Sequence, residues 1–340
     1  MGNLLADLTA FVLLIGITAY STAGGADFGA GIWDLLAGSR SALGREAREL
    51  IDHAMAPVWE VNNVWLVLSI VVCWTAFPQL FQAIFSSLYP LFGIALIGLV
   101  LRGAFFAFRH VADEPRAHRA ADLVFGVSSV ITPFFFAAAL GAIASGQVGL
   151  HGPTTSVLQA CFNPMSIAFG AVSVAATAFT GASFLVGDAR RYGATELVAY
   201  FRLRAFASAA VLVVTGTVAL GAIWLQAPEL ARRMLLGPGT PFALVTMVLV
   251  PVVALLLWRS RFVFYRLLTI AAVGSLVFAW GFAQSPDLLP GKLTIEQAAA
   301  PQGTEILLVV VTLGVVLVIG PAMAFLYYLD QRGVLESPEA

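Results

Sequence analysis

Charge is scarce in this sequence: only 11% of its 340 residues are Asp, Glu, Lys or Arg, and the net charge is -1. Soluble domains carry roughly 25% charged residues. Such a balance offers no basic face for nucleic acid. With 60% hydrophobic residues and a mean hydropathy of +0.91, the main solvent is lipid. Cysteine is nearly absent. Cys73 and Cys161 stand far apart in apolar surroundings, which excludes a disulfide framework or a CxxC metal or redox pair and leaves both as packing residues. Histidine is missing from the apolar runs, since His53, His110, His118 and His151 all fall in connections or at helix ends. A haem held between spans draws its axial ligand from the membrane interior, usually as histidine, so no cofactor bound by this chain is expected. The methionines are scattered as core residues are, and no GxGxxG turn, Walker motif or HExxH occurs. No Lys or Arg precedes the first apolar run, which reads as a retained span rather than a secretory signal.

What is present is a series of long apolar runs. Crossing a hydrocarbon core takes about 20 residues of helix, because every backbone polar group must be bonded within the segment. The expectation is an all-α, polytopic membrane helical bundle in one domain, with about nine transmembrane helices near 4-24, 57-78, 82-107, 122-145, 163-187, 205-226, 241-258, 263-283 and 305-328. Only the short Arg259-Ser260-Arg261 break separates the seventh from the eighth. If they formed one helix, the count would fall to eight. Connections after odd-numbered spans hold fourteen arginines, from Arg40, Arg45 and Arg48 through to Arg332, against Arg232, Arg233 and Lys292 on the other side. By the positive-inside rule the N-terminus lies outside and the C-terminus in the cytoplasm. Residues 27-56 hold an apolar stretch too short to span, Phe28 to Ala37, then a mixed-charge segment from Ser41 to Ile51 that reads as an interfacial helix. Gln284 to Gly303, with Pro286, Pro290 and Pro301, reads as an ordered outer loop. No repeat period of 20 to 50 residues stands out.

An ionisable residue within a span costs several kcal/mol and is a functional candidate by default. Asp27 lies just past the first span in Gly24-Gly25-Ala26-Asp27-Phe28-Gly29-Ala30-Gly31, as either a helix N-cap or a proton-handling acid. The second span opens with Pro57-Val58-Trp59-Glu60-Val61-Asn62-Asn63-Val64-Trp65. Glu60 and Asn63 are three apart and Trp59 and Asn63 four apart, on adjoining parts of one face, while Asn62 points elsewhere. A carboxyl shielded by indole rings holds its proton more readily, as a relay requires. The alternative is a glutamate at the membrane edge, stabilised by the helix N-terminus after Pro57. Arg102 in the third span needs a partner. Glu60 and Asp27 are the candidates, or else it snorkels to the surface beside Arg109. Asn163-Pro164 reads as a helix-initiating turn. From these residues alone, a secondary transporter using Asp27, Glu60 and Arg102 is one reading and a purely structural membrane subunit another.

Several segments in order resemble the cytochrome bd-type terminal oxidases, specifically their subunit II. They are Gly25-Ala26-Asp27-Phe28-Gly29-Ala30-Gly31, Pro57-Val58-Trp59-Glu60-Val61-Asn62-Asn63-Val64-Trp65-Leu66, Phe77-Pro78, Leu101-Arg102-Gly103, Phe108-Arg109, Asn163-Pro164, Glu196-Leu197 with Arg202 and Arg204, and Leu293-Thr294-Ile295 with Pro321 and Tyr327. The Trp-acid-x-Asn-x-Val-Trp stretch is the most specific of them. Gly24 stands where many members carry a further acid, and the Trp59-Glu60-Val61 form marks a divergent branch. The resemblance implies a haem-free subunit II of a quinol:oxygen oxidoreductase in the bacterial cell membrane, not catalytic alone. It further implies a haem-bearing subunit I with haems b and d, contact with the quinol pool, and room for a structural quinone and a small accessory subunit. By motif position Glu60 and Asp27 fall on the proton pathway, with Trp59, Asn62, Asn63, Trp65 and Arg102 in support.

Overall fold

The computed structural model describes residues 2–38, 41–55, 59–109, 115–260 and 264–331. Arg40, His110, Arg261 and Arg332 lie outside them, as do the side chains of Trp59, Glu60 and Arg109. Helices α1 (Gly2–Ala19) and α2 (Gly25–Ala37) are joined through a π-helical turn, Tyr20–Gly24, into one rod, Leu4–Ala37. Helix α3 (Ala42–Met55) leads to α4 (Trp59–Ala76), α5 (Pro78–Ser87), α6 (Tyr89–Arg109) and α7 (Pro115–Ala144). A two-residue antiparallel pair, β1 (Val148–Gly149) and β2 (Gly152–Pro153), precedes the short α8 (Val157–Cys161) and then α9 (Pro164–Arg191). Helices α10 (Thr195–Gln226), α11 (Pro228–Leu236), α12 (Thr240–Trp258) and α13 (Tyr265–Gln284) follow. A second antiparallel pair, β3 (Asp287–Leu289) and β4 (Leu293–Thr294), and α14 (Ile295–Ala298) come before α15 (Gln302–Gln331).

Among the described residues seven helices are long and apolar enough to cross a membrane, and α4 with α5 makes an eighth if that pair, bent by 115°, is one span. The chain is therefore an integral membrane protein. The two C-terminal runs in question are separate helices, α12 and α13. The span expected over 82–107 is interrupted at Leu88, because Pro90 in the first turn of α6 has no N–H to continue the α5 ladder. The first span does not end at Gly24 either. Gly24 and Gly25 are both helical, at φ -61° and -58°, so they make no turn, and the stretch Phe28 to Ala37 extends the same rod instead of forming a separate short helix.

The glycines of this segment serve close approach. A Cβ at Gly29 would lie 2.2 Å from the Thr177 carbonyl oxygen and 2.8 Å from the Gly181 backbone, so α2 crosses α9 with main chains nearly in contact. The Trp33 indole N–H then donates to the Ala178 carbonyl at 2.8 Å. Helix α9 is the centre of the bundle, with 72% of its apolar window buried against 17% for the first rod. Helix α3 is the amphipathic surface helix the sequence suggests. Ala47, Leu50 and Ile51 are buried, while Arg45, Glu46 and Glu49 are exposed. Asn163 caps α9 as expected, its side chain accepting from the Ser166 N–H at 2.9 Å. Thr294 and Gln297 form a reciprocal capping box on α14. At that end of the bundle Lys292 Nζ donates to the carbonyls of Gly146 and Val148 at 2.6 and 2.8 Å, tying the two hairpins together.

A methyl group at Gly29 has only main chain to push against, so Gly29→Ala should cost about 1–3 kcal/mol or more through overpacking. Gly93, with nothing within 4 Å of an added Cβ, should tolerate alanine or gain slightly. Thermal midpoints of the two variants in detergent check this contrast. Equal midpoints would mean that the α2–α9 contact is not tight.

Candidate functional site: a buried ion pair beside an apolar cavity

Arg102 and Asp27 form a bidentate pair inside the bundle. Arg102 Nη1 donates to Asp27 Oδ2 at 2.9 Å, and Nη2 donates to Oδ1 at 2.8 Å and to the Asp27 carbonyl at 3.1 Å. The Nε–H donates to Ser129 Oγ at 3.0 Å, which in turn donates to the Phe125 carbonyl at 2.8 Å. The rings of Phe28 and Phe125 lie 4.7 and 4.8 Å from the guanidinium carbon. Arg102 is 3% exposed and Asp27 8%. Each charge is thus neutralised and hydrogen-bonded, as a low-dielectric interior requires. Of the two partners the sequence left open for Arg102, the structure selects Asp27, and Arg102 does not snorkel. Asp27 is not a helix N-cap, because the chain is helical on both sides of it.

The π turn sits just upstream, and such turns often mark functional places in helices. Beyond it, Asp27, Gly31 and Asp34 share one face of α2 at i, i+4 and i+7. At Gly31 an added Cβ would lie 2.2 Å from Ser129 Oγ, so this glycine leaves room for the serine that holds Arg102. Asp34, 2% exposed, faces Arg48 Nε of α3 at 3.8 Å, and Arg48 Nη1 donates to Asp122 of α7 at 2.7 Å. His118 lies 3.8 Å from the same Asp122. A third pair joins α13 to α9, where Arg266 Nη2 donates to Asp188 at 2.5 Å and to the Phe184 carbonyl at 2.8 Å. Asp34, Asp122, Asp188 and Arg266 were not singled out from sequence. The legible signal was an acid recurring seven residues after Asp27 inside an apolar run.

At the start of α4 the inward residue is Asn62, 3% exposed, whereas Asn63 and Trp65 are half-buried. Trp65 accepts at its carbonyl from Ser69 Oγ, 2.8 Å away. Glu60 lies in the first turn of α4.

Beside the ion pair runs a cavity of about 520 Å³ with mainly apolar walls. Phe28, which covers Arg102, is also one of its walls. The described residues hold no group of three or more His, Cys, Asp or Glu suited to a metal. His53 and His118 are exposed, as is His151 in the β1–β2 turn, so these three do not fit as axial ligands of a haem inside the bundle.

A family model described as cytochrome bd terminal oxidase subunit II matches residues 5–330. The chain belongs to that family. It is similar to the cytochrome bd-I ubiquinol oxidase subunit 2 of Escherichia coli (strain K12), with 28% identity over 63% of this chain and 55% of the relative. It is also similar to the cytochrome bd ubiquinol oxidase subunit 2 of Bacillus subtilis (strain 168), with 31% identity over 32% of this chain and 31% of the relative. The chain spans about half the length of the first of these, and less of the second. Its fold matches a chain in the structure of the bd oxidase from Geobacillus thermodenitrificans, with TM-score 0.79 and 21% identity, over 98% of this chain and 99% of that one. The Gly25-Ala26-Asp27 segment and Arg102 meet in this chain as one ion pair.

Removing either charge leaves the other buried without a partner, at about 3–5 kcal/mol. Arg102→Leu and Asp27→Asn should each lower the yield of folded protein, and the double variant Asp27→Leu/Arg102→Leu should recover part of the loss. Yield and thermal midpoint in detergent report this, and full stability of Arg102→Leu alone would show that the pair carries no weight.

Proposed function

We propose that this chain is the haem-free subunit II of a bd-type quinol:oxygen oxidoreductase in a bacterial cell membrane, paired with a haem-bearing subunit I. The observation that carries this reading is the family match running over residues 5–330, supported by relatives whose names specify ubiquinol oxidation. The arginine distribution supports an N-terminus outside and a C-terminus in the cytoplasm. Haems b and d then belong to the partner and supply the electron transfer and oxygen chemistry. This chain is not catalytic alone.

In that complex the residues of this chain have two tasks. Arg102, Asp27 and Ser129 lock α2, α6 and α7 at a fixed spacing, which holds the face presented to the partner. Both Asp27 carboxylate oxygens accept from Arg102, so moving a proton through Asp27 would require breaking the pair. The relay role therefore falls first on Glu60, with Asp27 as the second acid of the proton pathway and Trp59, Asn62, Asn63 and Trp65 in support. A quinone retained as a structural component belongs to the same reading, supported by the apolar cavity, and a small accessory subunit has room on the remaining lipid-facing helices.

Isolation of the chain from its native membrane should bring down a haem-bearing membrane partner with the absorption of haems b and d. Purification of the chain free of any such partner would end the proposal. Within the complex, Glu60→Gln keeps the shape and removes the titratable group, so quinol-driven oxygen uptake should fall, by roughly 10²-fold if general acid–base transfer limits the rate, with haem content unchanged. An unaltered oxygen-uptake rate would make Glu60 structural.

A further inference from the structure

Arg202 and Arg204, two apart on a helix and hence on nearly opposite sides of α10, have no part in the site above. Arg204 folds back on its own helix, with Nη1 donating to the Tyr200 carbonyl at 3.1 Å and its guanidinium carbon 3.1 Å from the centre of the Tyr200 ring. Arg202 reaches instead to the end of α12, where its Nη1 donates to Ser260 Oγ at 3.0 Å. Its remaining N–H groups and the Ser260 hydroxyl proton have no acceptor among the described residues. Arg259, next to Ser260 and exposed, forms no ion pair among them either. Ser260 is held at φ 54°, a left-handed conformation that serine seldom adopts.

These groups stand at the level of lipid headgroups. Helix α12 is 19 residues long, about 28 Å at 1.5 Å per residue, close to the roughly 30 Å of a hydrocarbon core. Arg259 therefore emerges where the core ends, and the bond from Arg202 puts that guanidinium at the same level. Helix α10 is longer, at 32 residues, so its first turns run past the core. An apolar outer surface continues directly below, with Trp258 71% exposed and Leu203 and Leu255 exposed beside it. A tryptophan at this depth belongs to the interfacial belt. Between the two helices Ala205, Ala209, Val253 and Leu257 are buried in one apolar cluster, so the donors sit above a closed seam and face out of the bundle.

The surrounding charge selects the head. At this end of α9, α10, α12 and α13 the described residues hold Arg190, Arg191, Arg202, Arg204, Arg259 and Arg266 against only Asp188 and Glu196. Asp188 is already taken by Arg266, and Glu196 lies in the first turn of α10, nearly two turns before Arg202. An ammonium head, alone or beside a phosphate, meets like charge here. A phosphodiester without an amine meets opposite charge, and its two unesterified oxygens match a guanidinium edge and a hydroxyl. A phospholipid supplies that group together with acyl chains to cover Trp258 and Leu255.

We propose that Arg202, Arg259 and Ser260 bind the phosphodiester of an anionic phospholipid whose acyl chains lie on the outer surface of α10 and α12. Arg202 and the Ser260 hydroxyl donate to the unesterified oxygens, and Arg259 supplies the second positive charge. The Arg202–Ser260 bond orients these donors in advance, so the lipid clasps α10 to α12 where the chain turns towards α13. None of the three residues lines the cavity beside the ion pair. The inference needs only a chain that spans a membrane, so it stands apart from the oxidase reading.

The test compares the natural protein, isolated in detergent with the membrane partner it retains, with Arg202→Gln, Arg259→Gln and the double variant. Arg119→Gln, which removes an exposed arginine of α7, controls for charge alone. Each protein is titrated with phosphatidylglycerol, phosphatidylethanolamine and inorganic phosphate, and bound lipid is counted by native mass spectrometry. Affinity for phosphatidylglycerol should fall about fivefold in each single variant and about thirtyfold in the double one. Phosphatidylethanolamine should bind weakly throughout, and Arg119→Gln should match the natural protein. Equal phosphatidylglycerol affinity in the natural and double-variant proteins overturns the inference, as does an equal loss in Arg119→Gln. Inorganic phosphate held as tightly as the lipid overturns a lipid occupant. Loss of the membrane partner from the double variant at full lipid content assigns the patch to that partner and overturns the inference as well. Should the double variant fail to fold, the natural protein is labelled with phosphatidylglycerol carrying a photoreactive group near its head. Label concentrated on peptides holding residues 199–206 or 255–260 supports the site, and label spread evenly over the exposed helices overturns it.

Discussion

A guanidinium keeps its charge at any ordinary pH, so Arg102 inside a lipid-facing bundle imposes a condition on everything near it. The condition is met by Asp27 from the first rod, Ser129 from α7 and two aromatic faces. For these groups to converge, α2, α6 and α7 must sit at one spacing and one rotation. Gly31 is bare because Ser129 stands where its side chain would be. Gly29 is bare because α9 presses on the other side of the same rod. The glycine-rich segment is therefore a packing surface for one ion pair, and its composition follows from the need to bury Asp27 without leaving it alone.

The same helix carries the argument to the bundle's arginine-rich end. Asp34, two turns on from Asp27, meets Arg48, and Arg48 meets Asp122. One face of α2 thus binds α6 through Asp27 and α3 through Asp34, with α7 reached at both levels. Buried ion pairs of this kind add little net stability compared with apolar packing, but they penalise every alternative register heavily. In a bundle whose other contacts are mostly interchangeable aliphatic surfaces, that penalty fixes which helix lies next to which.

Much of this was legible in the sequence, and the reasons for the remainder are physical. Apolar length located seven of the expected spans among the described residues, because membrane helices must satisfy their own backbones. Hydropathy could not see the break at Leu88, where the residues stay apolar while Pro90 stops the hydrogen-bond ladder. It ended the first span at Gly24, since glycine permits a turn and close packing equally, and only the neighbouring helix α9 decides between them. The need of Arg102 for an acid was plain, but the choice between Asp27 and Glu60 depended on helix rotation. Asn62 turned inward where the i, i+3 pattern favoured Asn63, because neighbouring helices decide which face of α4 is buried. Asp34 was hidden by the apolar run around it. The cavity left no trace at all, since its walls are the same residue types that fill a core.

Phe28 links the two features that sequence could not join. One face of its ring covers the Arg102 guanidinium, and the same side chain lines the cavity. A chain filling the space beside Phe28 would exclude water from that side of the ion pair, and electrostatic attraction strengthens as water is removed. An empty or flooded cavity would weaken it. Phe28 is thus shared between the wall of that space and the cover of a permanent charge held inside the bundle.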